Sequence, residues 1–274
     1  MDVDDLASQL YDSKAKVQSL FLRRLLDFRM KYIWQRRERL FLKRFNILCV
    51  CSEMDKKHFD DPFRVYVVRN GFEPVSGGSL AEVEHDPFRL GFIGGLNYFP
   101  NREGLEWFIE KVWPLVKSSI PAMRLRLIGE GTGGGVCTLG ADIDGLGRIE
   151  DVGCEIATWN AMIVPIRHGG GTRIKVAEGF ARRCPVITTT VGAYGYEIEN
   201  GKEALIADDP VEFSRACKAV LTSPDLRRKL IDNAFSAFSQ HYTWEAQQRN
   251  ISKAIQHCLN MPANNAKSLS RSVA

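Results

Sequence analysis

The sequence predicts an α/β protein built on a Rossmann-like, doubly wound parallel sheet, and three observations carry that prediction. From residue 88 on, short strand-like runs recur: "FRLGFIGG", "MRLRLIG", "AMIVPI", "CPVITTT" and the shorter "EALIAD". The segments between many of them repeat apolar residues every three or four positions, the helical period. Alternation of this kind places the strands side by side in parallel, with helices covering both faces. Glycines follow the first three strands, as they do where the carboxyl edge of such a sheet lets a ligand approach the backbone.

The 274 residues, 45% of them hydrophobic, suffice to bury a substantial core, and a net charge of +4 is too small for a nucleic-acid partner spread over the molecule. Seven cysteines lie scattered through apolar runs with no C-x-x-C pair. They read as reduced thiols rather than a disulfide framework or a zinc site, which favours a cytoplasmic setting. Neither a signal peptide nor a run of about 18 apolar residues is present, so no membrane span is predicted.

In chain order, residues 5–45 read as helical, with leucine and phenylalanine at three- and four-residue spacing and no Pro or Gly. Positions 20–45 carry nine Lys or Arg against only Asp27 and Glu38. That face is either the solvated side of a packed helix or, through basic residues 23–44, a surface for anionic lipid or a partner subunit. Two β-type runs follow, "NILCVCS" and "RVYVVRNG", the second closed by an Asn70–Gly71 turn. Residues 73–88 turn polar and read as a linker. The sheet region then begins, with a helix predicted over 101–118 from Leu105, Phe108, Ile109, Val112 and Leu115. Further helices are predicted over 172–182, 210–221, 224–239 and 243–259, and the Asn- and Ser-rich tail 260–274 reads as disordered. The resulting division is a basic N-terminal unit (1–72), the linker (73–88), a Rossmann-like domain (89–242), a C-terminal helix (243–259) and the tail.

Three glycine loops are candidates for ligand contact. Gly129, Gly131 and Gly134 match G-x-G-x-x-G after "MRLRL", but no helical pattern follows, so the pyrophosphate-holding helix of a dinucleotide site is missing. Gly94 and Gly95, with Asn97 beside them, follow the first strand. The third loop, in "HGGGTRIKVAEGF", joins Gly169–Gly171 to a helix with Thr172 as its expected N-cap. Such a helix start presents unpaired N–H groups to an anion, and phosphate is the natural guest. Lys175 and Glu178, three apart on one face, would then meet phosphate and a pair of ribose hydroxyls in turn. A Lys–Glu pair at this spacing is also common on exposed helices, so spacing leaves both readings open. His168 alone reads as a polar lining residue, and no nucleophile–histidine arrangement or metal cluster is legible.

The segment "MIVPIRHGGGTRIKVAEGFARRCPVITTTVGAYGYEIENGKEALIADDP" resembles the donor-binding half of glycosyltransferase family 4, the group 1 glycosyltransferases of GT-B fold. "LGFIGGLNYFPNREGLEWFIEKVWPLVK" is similar to the first strand, glycine loop and helix of that half, and "CVCSEMDK" with "VYVVRNGFEP" to its interdomain region. The resemblance implies a nucleotide-diphospho-sugar donor, a polysaccharide or glycolipid acceptor, retention of anomeric configuration, and no bound metal or other cofactor. It implies that Gly95, the 169–171 loop and Lys175 meet the diphosphate, that Glu178 holds the ribose, and that the backbone at Arg148 and Ile149 borders the base. Asn97, His168, Gly170, Gly171, Thr172 and Arg173 complete the expected donor-binding set; no catalytic residue is assigned. Most members carry a second glutamate where this chain has Gly170. "MDVDDLASQLYDSKAK" looks like a point late in the family's amino-terminal domain. The expectation is therefore a peripheral cytoplasmic enzyme inactive alone, or a non-catalytic nucleotide-sugar-binding subunit completed by a partner.

Overall fold

The computed structural model describes residues 1–17, 20–75, 88–133 and 140–261. Most of the expected linker, Gly134 of the second glycine loop, Cys137 and nearly all of the expected disordered tail lie outside the described residues.

The larger of two sheets has six parallel strands: β4 (Arg89–Ile93), β5 (Arg124–Ile128), β6 (Ile143–Gly147), β7 (Ala161–Val164), β8 (Val186–Thr188) and β9 (Leu205–Ile206), in spatial order β6-β5-β4-β7-β8-β9. Counted from β4, this is the 3-2-1-4-5-6 order of a doubly wound nucleotide-binding fold. Strand β7 shows why it needs helices on both sides: all four of its residues are buried, and they alternate between two cores. Ala161 and Ile163 join Leu90, Phe92, Leu125 and Leu127 under α5 (Phe99–Trp107), the α6 segment (Trp113–Ser119) and α9 (Pro210–Thr222). Met162 and Val164 face the other way, onto Val176 and Phe180 of α8 (Ile174–Ala181) and Phe238 of α10 (Pro224–His241).

The smaller sheet holds β1 (Asp2–Val3), β2 (Leu48–Val50) and β3 (Val65–Val67), all parallel in the order β1-β2-β3. Between β1 and β2 stand α1 (Ala7–Val17), α2 (Phe21–Glu38) and α3 (Phe41–Arg44); α4 (Glu53–Lys56) follows β2. The last helix, α11 (Trp244–Asn260), returns to this sheet, where His257 Nδ1 lies 2.7 Å from Tyr66 Oη and Gln247 Oε1 accepts from the Arg69 N–H.

Several expectations need correction. Within residues 5–45 the helical reading is met by α1, α2 and α3; the two-residue strand β1 ahead of them is what the sequence did not signal. Asn70–Gly71 forms no turn: the chain runs on past β3 toward α11, where the Phe72 N–H donates to the Tyr242 carbonyl, and the Asn70 amide donates to Asp4 Oδ1 and Thr172 Oγ1. The 101–118 helix is interrupted by a π-helical turn at Phe108–Val112, and Leu115 faces solvent while Leu105, Phe108 and Val112 are in the core. Strand β6 and the five-residue α7 (Val152–Ile156) were not legible in the sequence at all.

Candidate functional site

In a doubly wound sheet the strand order reverses between the first strand and the fourth, and the loops leaving that point diverge to leave a crevice. Here those strands are β4 and β7. The loop after β4 carries Gly94 and Gly95; the loop after β7 carries Gly169–Gly171 and leads into α8. Both predicted glycine loops therefore open onto one crevice, with Lys175 reaching across it.

Lys175 Nζ donates to Asn101 Oδ1 at 2.8 Å and stands 4.4 Å from the centre of the Phe92 ring. Asn101 in turn donates from Nδ2 to the Gly95 carbonyl at 3.0 Å, so the amine is fixed beside the first glycine loop. A methyl group on Gly94 would lie 2.7 Å from Nζ. Burial, and then the positive charge of Arg173, depress the Lys175 ammonium from 10.5 to about 7, with Glu178 opposing them. An anion in the crevice would reverse that balance. Asn101 was missed by sequence reading, since nothing local to it announces a partner in a helix so far along the chain.

Helix α8 begins at Ile174, and its N-cap is Arg173, with no side chain capping the first turn. Thr172 is thus not the expected cap: its hydroxyl faces the other way, accepting from Asn70 Nδ2 at 2.9 Å. The first-turn N–H groups and the positive end of the helix dipole are left without a side-chain acceptor, the arrangement that binds anions. Arg173 is 7% exposed; its Nη1 donates to the Gly170 carbonyl, while Nε and Nη2 have no hydrogen-bond partner. Two buried guanidinium donors without acceptors add to the site's demand for negative charge.

The other predicted residues are distributed as follows. Glu178 is one turn beyond Lys175, where one carboxylate oxygen accepts from Arg182 Nε at 3.0 Å. His168 is half-buried, its Nε2 3.5 Å from Glu103 Oε1, which also accepts from Arg167 Nη1 at 3.0 Å. Asn97 is exposed in the turn after Gly95. Arg148 is exposed and paired with Glu130 at 2.6 Å, beyond the ends of β6 and β5. Ile149 packs half-buried beside the second core. The structure gathers Gly95, Gly170, Gly171, Arg173 and Lys175 at the switch point, and sets Arg148 and Ile149 to one side, past the β5 and β6 loops.

The small sheet also reaches this crevice, which the sequence did not signal. Ser13 Oγ of α1 accepts from the Gly169 N–H at 2.6 Å, and the Leu10 N–H and Leu6 carbonyl each lie 3.4 Å from where a side chain on Gly170 would begin. Gly171, in the left-handed region at φ 72°, faces the Asp5 carboxylate, which would overlap a methyl group there.

Half of the chain, residues 87–223, matches the family described as glycosyl transferases group 1. The chain belongs to the group 1 glycosyl transferases. The match spans β4 to the end of α9, so both glycine loops and Lys175 of this glycosyl transferase fall within it. Among solved structures, the chain superposes on sucrose-phosphate synthase from Thermosynechococcus elongatus with a TM-score of 0.69 at 17% identity, covering 94% of this chain and 67% of that one. Anabaena Alr3699/HepE, solved in complex with UDP and glucose, gives a TM-score of 0.66 at 14% identity, covering 93% of this chain and 70% of that one. These likenesses establish the GT-B glycosyltransferase type of α/β fold. A Klebsiella pneumoniae relative, described as an uncharacterized 44.6 kDa protein in the cps region, is 24% identical over 168 residues, 55% of this chain and 42% of that protein. The match thus covers less than half the length of that relative.

Proposed function

We propose that this chain binds a nucleotide-diphospho-sugar in the crevice between the β4 and β7 loops, for retaining, metal-independent glycosyl transfer to a polysaccharide or glycolipid. The observation that carries the reading is Lys175: an amine held by Asn101 between a glycine loop and an uncapped helix start. As the sugar leaves, charge builds on the diphosphate, and a preorganised cation and helix dipole stabilise it there. Complexes of Anabaena Alr3699/HepE with UDP and with UDP-glucose agree with this class of donor. Glu178 then takes the ribose hydroxyls. Glu178→Ala is expected to weaken nucleotide binding by roughly 1–3 kcal/mol, the worth of hydrogen bonds to a charged acceptor. Calorimetry with UDP, GDP and ADP checks this, and unchanged affinity in a folded Glu178→Ala protein removes Glu178 from the site.

We also place the acceptor side at an anionic membrane. On α2, Phe21, Leu22, Leu25, Leu26 and Tyr32 are exposed, Phe21 at 77%, among Arg23, Arg24, Arg29 and Arg36. Apolar side chains ringed by cations suit the headgroup boundary of an anionic bilayer. None of the described helices is long and apolar enough to cross a membrane, so contact would be peripheral. Cosedimentation is expected with vesicles containing phosphatidylglycerol and not with phosphatidylcholine alone, and it should fall as salt rises. Equal recovery in both supernatants contradicts the membrane reading and favours a solvated face or a protein partner.

The small sheet has three short parallel strands and no glycine loop of its own among the described residues. The reading therefore has these 274 residues hold the donor and, alone, turn it over at most slowly by hydrolysis. The rival reading, a nucleotide-sugar-binding subunit completed by a partner, shares the same donor site.

A further inference from the structure

The crevice is rich in hydrogen-bond donors and poor in acceptors. Backbone N–H groups, Lys175 and the two unpartnered nitrogens of Arg173 suit phosphate, but a sugar also offers hydroxyl protons, and a buried hydroxyl without an acceptor is costly. One carboxylate is aimed at the 169–171 loop. Asp5 lies in the connection from β1 to α1, which is pinned on both sides: Val3 pairs with Val50 in the small sheet, and Leu6, 1% exposed, presses its carbonyl toward Gly170. The neighbouring Asp4 is already engaged, accepting from Asn70 Nδ2 at 2.9 Å and from Cys51 Sγ at 3.2 Å. Asp5 takes no hydrogen bond among the described residues, and its carboxylate sits against Gly171, where only a residue without a side chain leaves it room. Asp5 as a residue is exposed, but its carboxylate is partly desolvated against the loop, and that together with the charges of Asp4 and Asp55 raises its pKa, while Arg173 opposes them.

We infer that Asp5 accepts hydrogen bonds from hydroxyls of the donor's sugar, so that the large sheet holds the diphosphate and the small sheet reads the sugar. The inference rests on the donor-site reading above. It explains why Gly171 is left bare and why Arg173 is buried close to an acid. Asp5 would be a specificity-determining residue carried on the element that must stay docked for the sugar to be recognised.

The test is calorimetry of the wild type, Asp5→Asn and Asp5→Ala with the best-bound of UDP, GDP and ADP, and with that nucleotide's glucose, galactose and N-acetylglucosamine conjugates. The readout is the preference for the best conjugate over the bare diphosphate. Asp5→Ala is expected to reduce this preference at least tenfold, with Asp5→Asn intermediate, while the bare diphosphate binds more tightly because a nearby negative charge has gone. Equal weakening of both ligands with the ratio unchanged would mark Asp5 as a packing residue rather than a sugar acceptor. A ratio within twofold of wild type in both variants overturns the role of Asp5. Wild-type protein that binds none of the three nucleotides overturns the donor-site reading, and this inference with it.

Discussion

Lys175→Ala is expected to weaken binding of the nucleotide-sugar by about 10- to 100-fold, the loss of charge-assisted hydrogen bonds to the diphosphate. The effect should be large because the amine is already in place: Asn101 fixes it at 2.8 Å and the Phe92 ring supports it from one side, so little ordering remains to be done on binding. Its pH dependence separates this role from a packing role. With the free amine titrating at about 7, pushed down by burial and by Arg173, the wild type binds best at and below pH 7 and progressively less well above it. A bound diphosphate raises that pKa, so binding above pH 7 takes up a proton. The unliganded fold follows the opposite sign. Burial penalises the ammonium, so this group's contribution to stability is poorest below about pH 7 and recovers as pH rises toward the ordinary lysine value of 10.5. A nucleotide-sugar is the right probe, because its diphosphate does not titrate in this range. Calorimetry between pH 6.5 and 9, in buffers of different ionisation enthalpy, should show proton uptake in the wild type that Lys175→Ala abolishes.

Gly129→Ala is expected to have the largest effect on the scaffold. Gly129 sits at φ 135°, outside the range comfortable for an L side chain, and its methyl group would fall on the Gly94 carbonyl, 3.0 Å from the Gly95 nitrogen. Backbone cannot swing aside as a side chain can. The loop after β5 would therefore push the loop after β4 out of place, at a cost on the order of 3 kcal/mol and a fall in Tm of about 6–12 °C. Nucleotide affinity should fall with it, since Gly94 and Gly95 border Lys175. Gly201→Ala is the control: it shares a positive φ, 80°, but nothing lies within 4 Å of the new methyl, so only the intrinsic strain of about 1 kcal/mol is expected. Thermal melts of the two variants side by side separate strain from collision.

The parallel sheet was legible because β7 and β8 bury every residue and read as apolar runs, while β4 and β5 bury most of theirs and run directly into glycines. Strand β6 was not, because "IDGLG" is half polar and only Ile143 is fully buried. The two runs "NILCVCS" and "RVYVVRNG" read as strands, yet neither their parallel pairing nor the addition of β1, two residues long, and of α11 from the far end of the chain is legible locally. The candidate site divides in the same way. Lys175, Glu178 and the glycines share one loop and helix and could be read together. Asn101 and Ser13 meet that loop across separations of 74 and 156 residues, and Asp5 reaches it from the other sheet. No local pattern encodes such contacts. Thr172 shows the converse error: Ser and Thr before a helix are good N-caps on average, but here the hydroxyl is claimed by Asn70, leaving the helix start bare.

A nucleotide-diphosphate site in the crevice where the sheet reverses, between β4 and β7, can be seen directly. The most direct measurement is a crystal structure of this chain grown with the best-bound of UDP, GDP and ADP. Density for the diphosphate is expected between Gly95 and the start of α8, with an oxygen within hydrogen-bond distance of Lys175 Nζ. Diphosphate bound elsewhere on the molecule, or an empty crevice at a nucleotide concentration well above the measured Kd, would contradict it.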